Sequence, residues 1–319
     1  MRSVHTIPLD PGRGGRASHA ISHDSGIGGP RVAITANVHG DETTGVAAVL
    51  ELDRWLANHL SRGIVTLYPS LNPIGLEGCH RTFSPGGVDL NRVFPGNARG
   101  DRAHRAAAAI WADLGSRELD VLLDLHSDSA SAIPYAIVDR AVEMDGAGRV
   151  AMKDRLRALA GSTGLTVLNE YPDDQYRRFS LDRSLAGAMV NHARTPALTI
   201  ECGPRRAVQA DAVNAMIMAV RGVLSHIGVV DGRPADHPSR VDGSFRRASA
   251  PRIAKAGIFT AVVRPGQTFE ADDVLGQITA LDGSILERVL APAAGVSISW
   301  MEAAWVEPRG VVGTLGLRE

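Results

Sequence analysis

Short apolar runs alternate with stretches of helical periodicity between residues 31 and 226 of this sequence. The runs RVAITANV at 31–38 and VLLDLH at 121–126 have the length and the apolar character of strands buried on both faces. Segments between such runs, as at 43–60, place apolar residues at helical spacing. This alternation predicts an α/β domain with a mixed central sheet flanked by helices.

The pattern changes after a segment rich in Gly, Pro and Asp at residues 228–243. Beyond it, short β-rich pieces are separated by turn signals about every ten residues, as in a small sandwich or barrel. We therefore predict two domains, an α/β domain at 1–230 and a small all-β domain at 231–319. Residues 1–30 are interpreted as a lead-in with one edge strand.

Charge and composition exclude several classes of protein. The 319 residues carry 34 basic and 35 acidic side chains, and this net charge of −1 gives no electrostatic case for a nucleic-acid or membrane partner. No apolar run reaches the roughly 18 residues that span a bilayer. Two cysteines do not make a disulfide framework. With no signal-peptide pattern at the N-terminus, we expect a cytoplasmic protein with a small-molecule partner; self-association into a homo-oligomer is left open.

The motif HGDE at residues 39–42 lies where a predicted strand meets a predicted helix. Ligands of open α/β sheets bind at such strand ends. His39 and Glu42 can turn toward one point across the helix start, and His126 ends another predicted buried strand. Two histidines and one glutamate form the ligand set of many catalytic zinc sites. We therefore predict that His39, Glu42 and His126 bind one Zn²⁺ per chain.

Glu201 closes a further apolar strand, in the sequence TIECGP at 199–204. A buried carboxylate there is costly unless it is paired or functional. Its predicted function is that of a general base, which takes a proton from the attacking water and passes it to the leaving amine. Cys202 has no visible histidine partner, so we interpret it as a small buried residue.

A long irregular stretch at residues 72–100 contains Arg81 and the pair Asn91-Arg92. Loops of this length in a compact domain are usually functional or disordered. One arginine would stabilise a developing oxyanion, and an Asn–Arg pair would hold a substrate carboxylate. Surface arginines in an arginine-rich chain are the alternative interpretation.

In order along the chain, HGDE, NP, Arg81, DLNR, DLHS and ECGP resemble the succinylglutamate desuccinylase/aspartoacylase family, of the zinc carboxypeptidase-like superfamily. The resemblance runs from about residue 32 to residue 226. The tail is similar to the C-terminal domain of bacterial deacylases of this family, a barrel-sandwich domain of lipoyl type. Lipoyl carriers need a lysine on an exposed hairpin, and neither lysine lies near the candidate hairpin at 281–284. We therefore expect the tail to be structural, to support oligomerisation or to cap the site, without chemistry of its own.

The resemblance implies zinc-dependent hydrolysis of the amide bond of a small N-acyl amino acid, with acetyl favoured slightly over succinyl and no organic cofactor. It implies these roles: His39, Glu42 and His126 as zinc ligands, Glu201 as general base and acid, Arg81 as the residue that polarises the scissile carbonyl, and Asn91 with Arg92 as the site of a substrate carboxylate. Asp89 is expected to support the loop rather than touch substrate.

Substrate choice stays open at this stage. In the predicted loop at 171–178, Arg177 or Arg178 would bind a dicarboxylic substrate, whereas Asp173 or Asp174 would bind a side-chain amine; a solvated loop without substrate contact is the third interpretation. Two alternatives to the deacylase also remain. One is a zinc carboxypeptidase that acts on peptides, and the other is a non-catalytic binding protein with a vestigial site.

Overall fold

The computed structural model describes residues 1–10, 16–302 and 304–319. The strands there are β1 (Arg2–Pro8), β2 (Ala17–Asp24), β3 (Arg31–Ala36), β4 (Ile64–Tyr68), β5 (Val121–His126), β6 (Ser131–Ala132), β7 (Tyr135–Val138), β8 (Thr166–Asn169), β9 (Ala197–Glu201), β10 (Phe245–Ser249), β11 (Gly257–Ala261), β12 (Thr268–Phe269), β13 (Val274–Thr279), β14 (Ile285–Leu290), β15 (Gly295–Trp300), β16 (Trp305–Val306) and β17 (Gly313–Arg318). The helices are α1 (Thr44–His59), α2 (Pro73–Gly78), α3 (Arg102–Gly115), α4 (Gly146–Ser162), α5 (Asp173–Arg178), α6 (Leu185–Ala188) and α7 (Ala210–His226). Within the described ranges, no helix is both long and apolar enough to cross a membrane.

Thirteen strands form one mixed sheet in the order β1-β2-β4-β3-β5-β9-β7-β8-β10-β17-β15-β12, with β6 paired to β15 beside this path. The strands from β4 to β9 along this order are parallel, and β7 runs antiparallel to β9. Helices α1 and α7 pack together, and α7 also contacts α4. The predicted α/β fold with a mixed sheet and flanking helices is confirmed.

A crevice is expected between the carboxyl ends of β3 and β5. Helix α1 connects β3 to β4, which lies on one side of β3 in the sheet. Helix α3 then connects β4 to β5, which lies on the other side of β3. Right-handed crossovers in opposite directions put their helices on opposite faces of the sheet. Ligands bind at such a switch point because no connection covers it.

Strand β5 has the predicted bounds and β9 ends at Glu201 as predicted, but two other segments differ from expectation. The N-terminal lead-in forms two strands, β1 and β2, paired along their whole length. The predicted loop at 171–178 is largely helix α5. Its aspartates lie in the first turn and its arginines in the last, which suits the helix dipole, and fully buried Tyr176 anchors it.

The regular elements among the described residues after α7 are all strands. Strand β10 pairs in parallel with β8 and antiparallel with β17, so the main sheet continues into this segment. Strands β14, β13, β11 and β16 form a second, antiparallel sheet. A hydrophobic cluster that includes Phe259, Leu275, Ile278 and Trp300 lies within this part of the chain. The predicted hairpin at 281–284 joins β13 to β14.

Candidate active site

The loop after β3 presents His39 and Glu42 and is held in one conformation by its neighbours. Asn37 has a positive φ of 58°, and its Nδ2 donates to the carbonyls of His39, Gly40 and Glu42 at 2.9–3.0 Å. A Cβ at Gly40 would come within 2.0 Å of the Gly75 backbone, so only glycine fits there. The motif therefore forms a rigid support for its two functional side chains.

His39, Glu42 and His126 converge between the carboxyl ends of β3 and β5. Nδ1 of His39 lies 2.8 Å from Oε1 of Glu42, and Nδ1 of His126 lies 2.8 Å from Oε2. One ligand atom from each side chain lies within 4.8 Å of the others, and all three residues are buried. Two imidazoles and a carboxylate in this arrangement fit a divalent metal ion.

Carboxylates behind both imidazoles fix the orientation of the rings. Oδ2 of Asp124 lies 2.9 Å from Nε2 of His126, and Oδ1 of Asp89 lies 3.2 Å from Nε2 of His39. Such partners set the tautomer of a ligating histidine and raise its basicity. Asp124 was not predicted as a site residue, although its spacing of two residues from His126 on one strand places both on the same face.

The charges in the cluster stabilise one another. Burial acts to raise the pKa of Glu42, but the charges and hydrogen bonds of His39 and His126 outweigh it and hold that pKa well below its usual value. Burial acts to lower the pKa of His126, but Asp124 and Glu42 raise it well above its usual value. Glu42 is therefore ionised, as a metal ligand must be.

Glu201 ends β9 and lies beside this cluster. Strands β5 and β9 pair so that His126 is opposite Glu201. Burial raises the pKa of Glu201 to about 7; His126 opposes this shift, and Glu42 adds to it. A carboxyl group that titrates near neutral pH is suited to proton transfer. Cys202 is fully buried, and burial raises the pKa of its thiol, which disfavours a nucleophilic role.

The long loop at 72–100 brings Arg81, Asn91 and Arg92 to the same cavity, whose volume is about 150 Å³. Nη1 of Arg81 donates to Oε1 of Glu42 at 3.2 Å, and its Nη2 donates to Oδ2 of Asp89 at 3.3 Å. Oδ1 of Asn91 accepts a hydrogen bond from the main chain of Leu185 at 2.6 Å. The three predicted residues thus line the cavity that also contains the metal-ligand cluster, and Asp89 supports the loop that carries them.

Arg177 and Arg178 are not among the described residues that line this cavity. Nη2 of Arg177 donates to the carbonyl of Val142 at 2.8 Å, and the Arg178 guanidinium lies 5.1 Å from the centroid of the Phe179 ring. Helix α5 turns its buried Tyr176 inward, so the neighbouring charged side chains point outward. The geometry gives the predicted substrate contacts of these two arginines no support, and the same holds for Asp173 and Asp174.

Several other residues that line the cavity were not predicted from the sequence. Tyr135 and Ile137 lie on the cavity face of β7, Asp139 directly follows that strand, Glu170 follows β8, and Arg247 comes from β10. Thr314 of β17 also lines it. The tail, expected to be structural, to support oligomerisation or to cap the site, contributes residues to the cavity wall because β10 pairs with β8. No local pattern reveals such long-range pairing.

Arg247→Leu is expected to lower the free energy of unfolding by about 3 kcal/mol. Nη1 of Arg247 lies 2.9 Å from Oε2 of Glu170, and the Glu170 side chain is only 5% exposed. Without the guanidinium, a buried carboxylate loses its partner. Urea denaturation measures the change, with Arg246→Leu on the same strand as the control. Equal, small effects of both substitutions would show that the ion pair does not stabilise the fold.

A cluster of metal-ligand type at the strand ends of an α/β sheet, with a second glutamate beside it, is the arrangement of metal-dependent hydrolases. Residues 28–227, more than half of the chain, match the model of the succinylglutamate desuccinylase/aspartoacylase catalytic domain. The chain therefore belongs to the succinylglutamate desuccinylase/aspartoacylase family.

Individual relatives agree with this assignment. N-alpha-acetyl-L-2,4-diaminobutyric acid deacetylase from Halomonas elongata is 34% identical over 114 residues, which are 34% of this chain and 32% of the relative, so the match spans about a third of each. An aspartoacylase family protein from Mesorhizobium loti has a TM-score of 0.81 at 20% identity and covers 100% of this chain and 95% of its own. A metallo-carboxypeptidase from Burkholderia cenocepacia has a TM-score of 0.55 at 18% identity over 71% of this chain and 64% of its own. These structural likenesses concern the fold.

The resemblance drawn from the six motifs is confirmed by the family match. At the level of the family, the predicted class of enzyme, a hydrolase of the deacylase type, is confirmed as well. The buried cluster of His39, Glu42 and His126 supports the prediction that this site takes a metal ion.

Proposed function

We propose that the chain is a zinc-dependent amidohydrolase that removes the acyl group, acetyl or succinyl, from a small N-acyl amino acid. The observation that carries this proposal is the convergence of His39, Glu42 and His126 in one buried cluster. Glu201 and Arg81 line the same cavity. One site thus combines a metal-ligand set, a proton acceptor and a cationic donor, which are the groups that metal-assisted amide hydrolysis needs.

His39, Glu42 and His126 would hold one zinc ion per chain. Three protein ligands of this kind leave a coordination position open, as catalytic sites require and structural zinc sites do not. When bound, zinc polarises a carbonyl and lowers the pKa of water. Asp124 and Asp89 would keep the two imidazoles in the orientation that presents them to the ion.

The remaining chemistry belongs to the side chains around the cluster. Glu201 would take the proton of the attacking water and return it to the leaving amine. Arg81, held by Glu42 and Asp89, would stabilise the negative charge that develops on the scissile carbonyl oxygen. Asn91 and Arg92 would bind the carboxylate of the amino acid, because an arginine fork matches a carboxylate in geometry.

The volume of the cavity and the similarity to the Halomonas relative favour a small acetylated substrate. A cavity of about 150 Å³ holds an amino acid derivative more readily than a peptide. The Halomonas relative is named for the deacetylation of N-alpha-acetyl-L-2,4-diaminobutyric acid, which favours acetyl over succinyl.

We further propose that residues 1–230 form the hydrolase domain and residues 231–319 a C-terminal β domain of barrel-sandwich type. The separate hydrophobic cluster and the four-stranded sheet of the tail support this division. Arg247 and Thr314 would then be the contribution of the second domain to the cavity wall.

A substrate panel tests the proposed function. We expect hydrolysis of at least one N-acetyl or N-succinyl amino acid with kcat/KM roughly a hundredfold above that of any peptide, because the cavity selects by size and by buried polar contacts. Release of the free amine is measured with and without 1,10-phenanthroline, which should abolish turnover. Cleavage of C-terminal peptide residues alone would establish a carboxypeptidase instead, and no hydrolysis together with no zinc uptake would establish a vestigial site.

A further inference from the structure

Arg247, on strand β10 of the tail, lines the cavity but has no role in the chemistry described above. It lies outside residues 28–227, the part of the chain that matches the catalytic domain of the family. The positive charge of Arg247 acts to lower the pKa of Arg92 and the pKa of Glu201. The guanidinium is therefore within electrostatic reach of both the proposed carboxylate site and the candidate base.

The three nitrogens of the Arg247 guanidinium have different surroundings. Nη1 donates to Oε2 of Glu170 at 2.9 Å. Nε is buried and donates to no described residue. Nη2 also donates to none of them, but unlike Nε it is not among the buried atoms, so a ligand can reach it. A buried N–H group without an acceptor destabilises a protein unless a bound group satisfies it.

Nε and Nη2 form one edge of the planar guanidinium, an edge that matches the two oxygens of a carboxylate. Elsewhere in this chain the same edge does bind carboxylates. Nε and Nη2 of Arg2 donate to the two oxygens of Asp53 at 2.8 and 3.0 Å. The same atoms of Arg117 donate to those of Asp113 at 2.9 and 3.1 Å. In Arg247 this edge has no carboxylate partner among the described residues, although the side chain lines a cavity.

Arg92 has the same pattern of contacts as Arg247. Its Nη1 donates to the carbonyl of Asn91 at 2.6 Å, and its Nε and Nη2 donate to no described residue. Arg81 differs, because both nitrogens of this edge donate to Asp89 at 3.3 Å. Of these three cavity arginines, Arg92 and Arg247 keep their carboxylate-binding edges available for a ligand.

The charges around Arg92 also favour a bound anion. Burial lowers the pKa of Arg92, and the positive charges of Arg81 and Arg247 add to this effect, whereas Asp89 opposes it. Two guanidiniums that disfavour each other's charge in one cavity are stabilised by a negative group that contacts both. A substrate carboxylate is such a group.

We propose that Arg247 donates, together with Arg92, to the α-carboxylate of the substrate, so that the tail completes the substrate site of the catalytic domain. In the proposed function Asn91 and Arg92 already hold that carboxylate, and the role of Arg247 rests on that function. Glu170 fixes Arg247 through Nη1 and leaves the Nε–Nη2 edge for the substrate. Arg247 is thus a specificity-determining residue that selects a free carboxylate over a blocked one.

Kinetics on an acid and on its amide test this role. The two substrates are the N-acyl amino acid that the chain hydrolyses best and its α-carboxamide, which keeps the scissile bond but lacks the negative charge. Arg247→Lys should lower kcat/KM for the acid roughly tenfold to a hundredfold, the worth of a charge-assisted hydrogen bond. Most of the loss should lie in KM, because the carboxylate does not change during the reaction. For the carboxamide, kcat/KM should change less than about threefold.

The choice of variants separates recognition from folding. Lysine keeps a cation beside Glu170 but lacks the planar edge, and Arg247→Gln, which keeps a hydrogen-bond donor, is the second variant if the first does not fold. Arg246→Lys is the matched control on the opposite face of β10 and should leave both rates unchanged. Equal losses on the acid and the amide would show a structural role and overturn the proposal. So would a loss on N-acetyl-L-aspartate without one on N-acetyl-L-norvaline, because Arg247 would then bind a second carboxylate.

Calorimetry separates failure of this role from failure of the proposed function. If no N-acyl compound is hydrolysed, the proposed function fails, and the full chain is then titrated with N-acetyl-L-norvaline and with N-acetyl-L-norvalinamide. Binding of the acid that weakens roughly tenfold or more in Arg247→Lys, with no change for the amide, supports the arginine site on its own. Equal affinity for the acid and the amide, or no binding of either, contradicts it.

Discussion

Glu201→Gln is expected to lower kcat for the best N-acyl amino acid by about a thousandfold, within the range that general acid–base groups contribute. Glutamine keeps the size of the side chain but neither accepts nor delivers a proton. Because Glu201 lies outside the set of His39, Glu42 and His126, the metal content should stay at one ion per chain. Steady-state kinetics and metal analysis by mass spectrometry on the same preparation measure both effects.

The control for Glu201→Gln is Glu51→Gln, which makes the same change at an exposed position of α1. Its kcat should equal that of the unmodified chain. If Glu201→Gln kept more than about a tenth of the activity, the contribution of Glu201 would be too small for a general base. Glu201 would then have no role in proton transfer. Loss of metal in this variant would instead show that Glu201 acts as a ligand.

His39→Gln is expected to reduce bound zinc from one ion per chain to less than about a tenth at equal metal supply, because a two-residue ligand set no longer closes the site. Turnover should fall in proportion to the lost metal. Glutamine is used because a shorter residue would leave Glu42 and Asp89, both within 3.2 Å of the His39 ring, without a partner. Dialysis against buffered zinc followed by mass spectrometry measures the occupancy.

The matched control for His39→Gln is His59→Gln, an exposed histidine in the last turn of α1. Circular dichroism on both variants shows whether the fold is kept. A folded His39→Gln variant that retains a full complement of zinc would place the metal elsewhere. Glu42→Gln should then be made as well, since Glu42 contacts both imidazoles and its loss affects any ion in this cluster.

The metal-ligand cluster was predictable because its residues sit at strand ends that local sequence reveals. Apolar runs locate β3 and β5, and parallel neighbours bring their carboxyl ends to one edge of the sheet. His39, Glu42 and His126 therefore meet as a consequence of topology that the alternation of strands and helices already implies. The position of Glu201 follows in the same way from β9, which pairs with β5.

The cavity wall around Arg247 could not be predicted because it depends on pairing between distant strands. Arg247 and Glu170 are 77 residues apart in the sequence. They meet only because β10 pairs with β8 in the sheet. Arg177 shows a complementary limit of interpretation from the sequence. Its charge suits a substrate carboxylate, but helix α5 turns it toward Glu143 and Val142. Charge in a sequence shows what a residue can bind, whereas packing decides what it faces.

The tail illustrates the same limit. The absence of lysines near the hairpin at 281–284 argues against a carrier arm, but it gives no information about strands β10 and β17. Those two strands place Arg247 and Thr314 in the cavity wall.

Titration of turnover with zinc tests the central claim most directly. The chain is freed of metal with chelator, zinc is added back in steps, and hydrolysis of the best N-acyl amino acid from the panel is followed by release of the free amine. We expect no turnover in the metal-free chain and a linear rise that ends at one zinc ion per chain. Full turnover without metal would contradict the account. So would a zinc-dependent rise in turnover that persists when the His39–Glu42–His126 cluster is not intact.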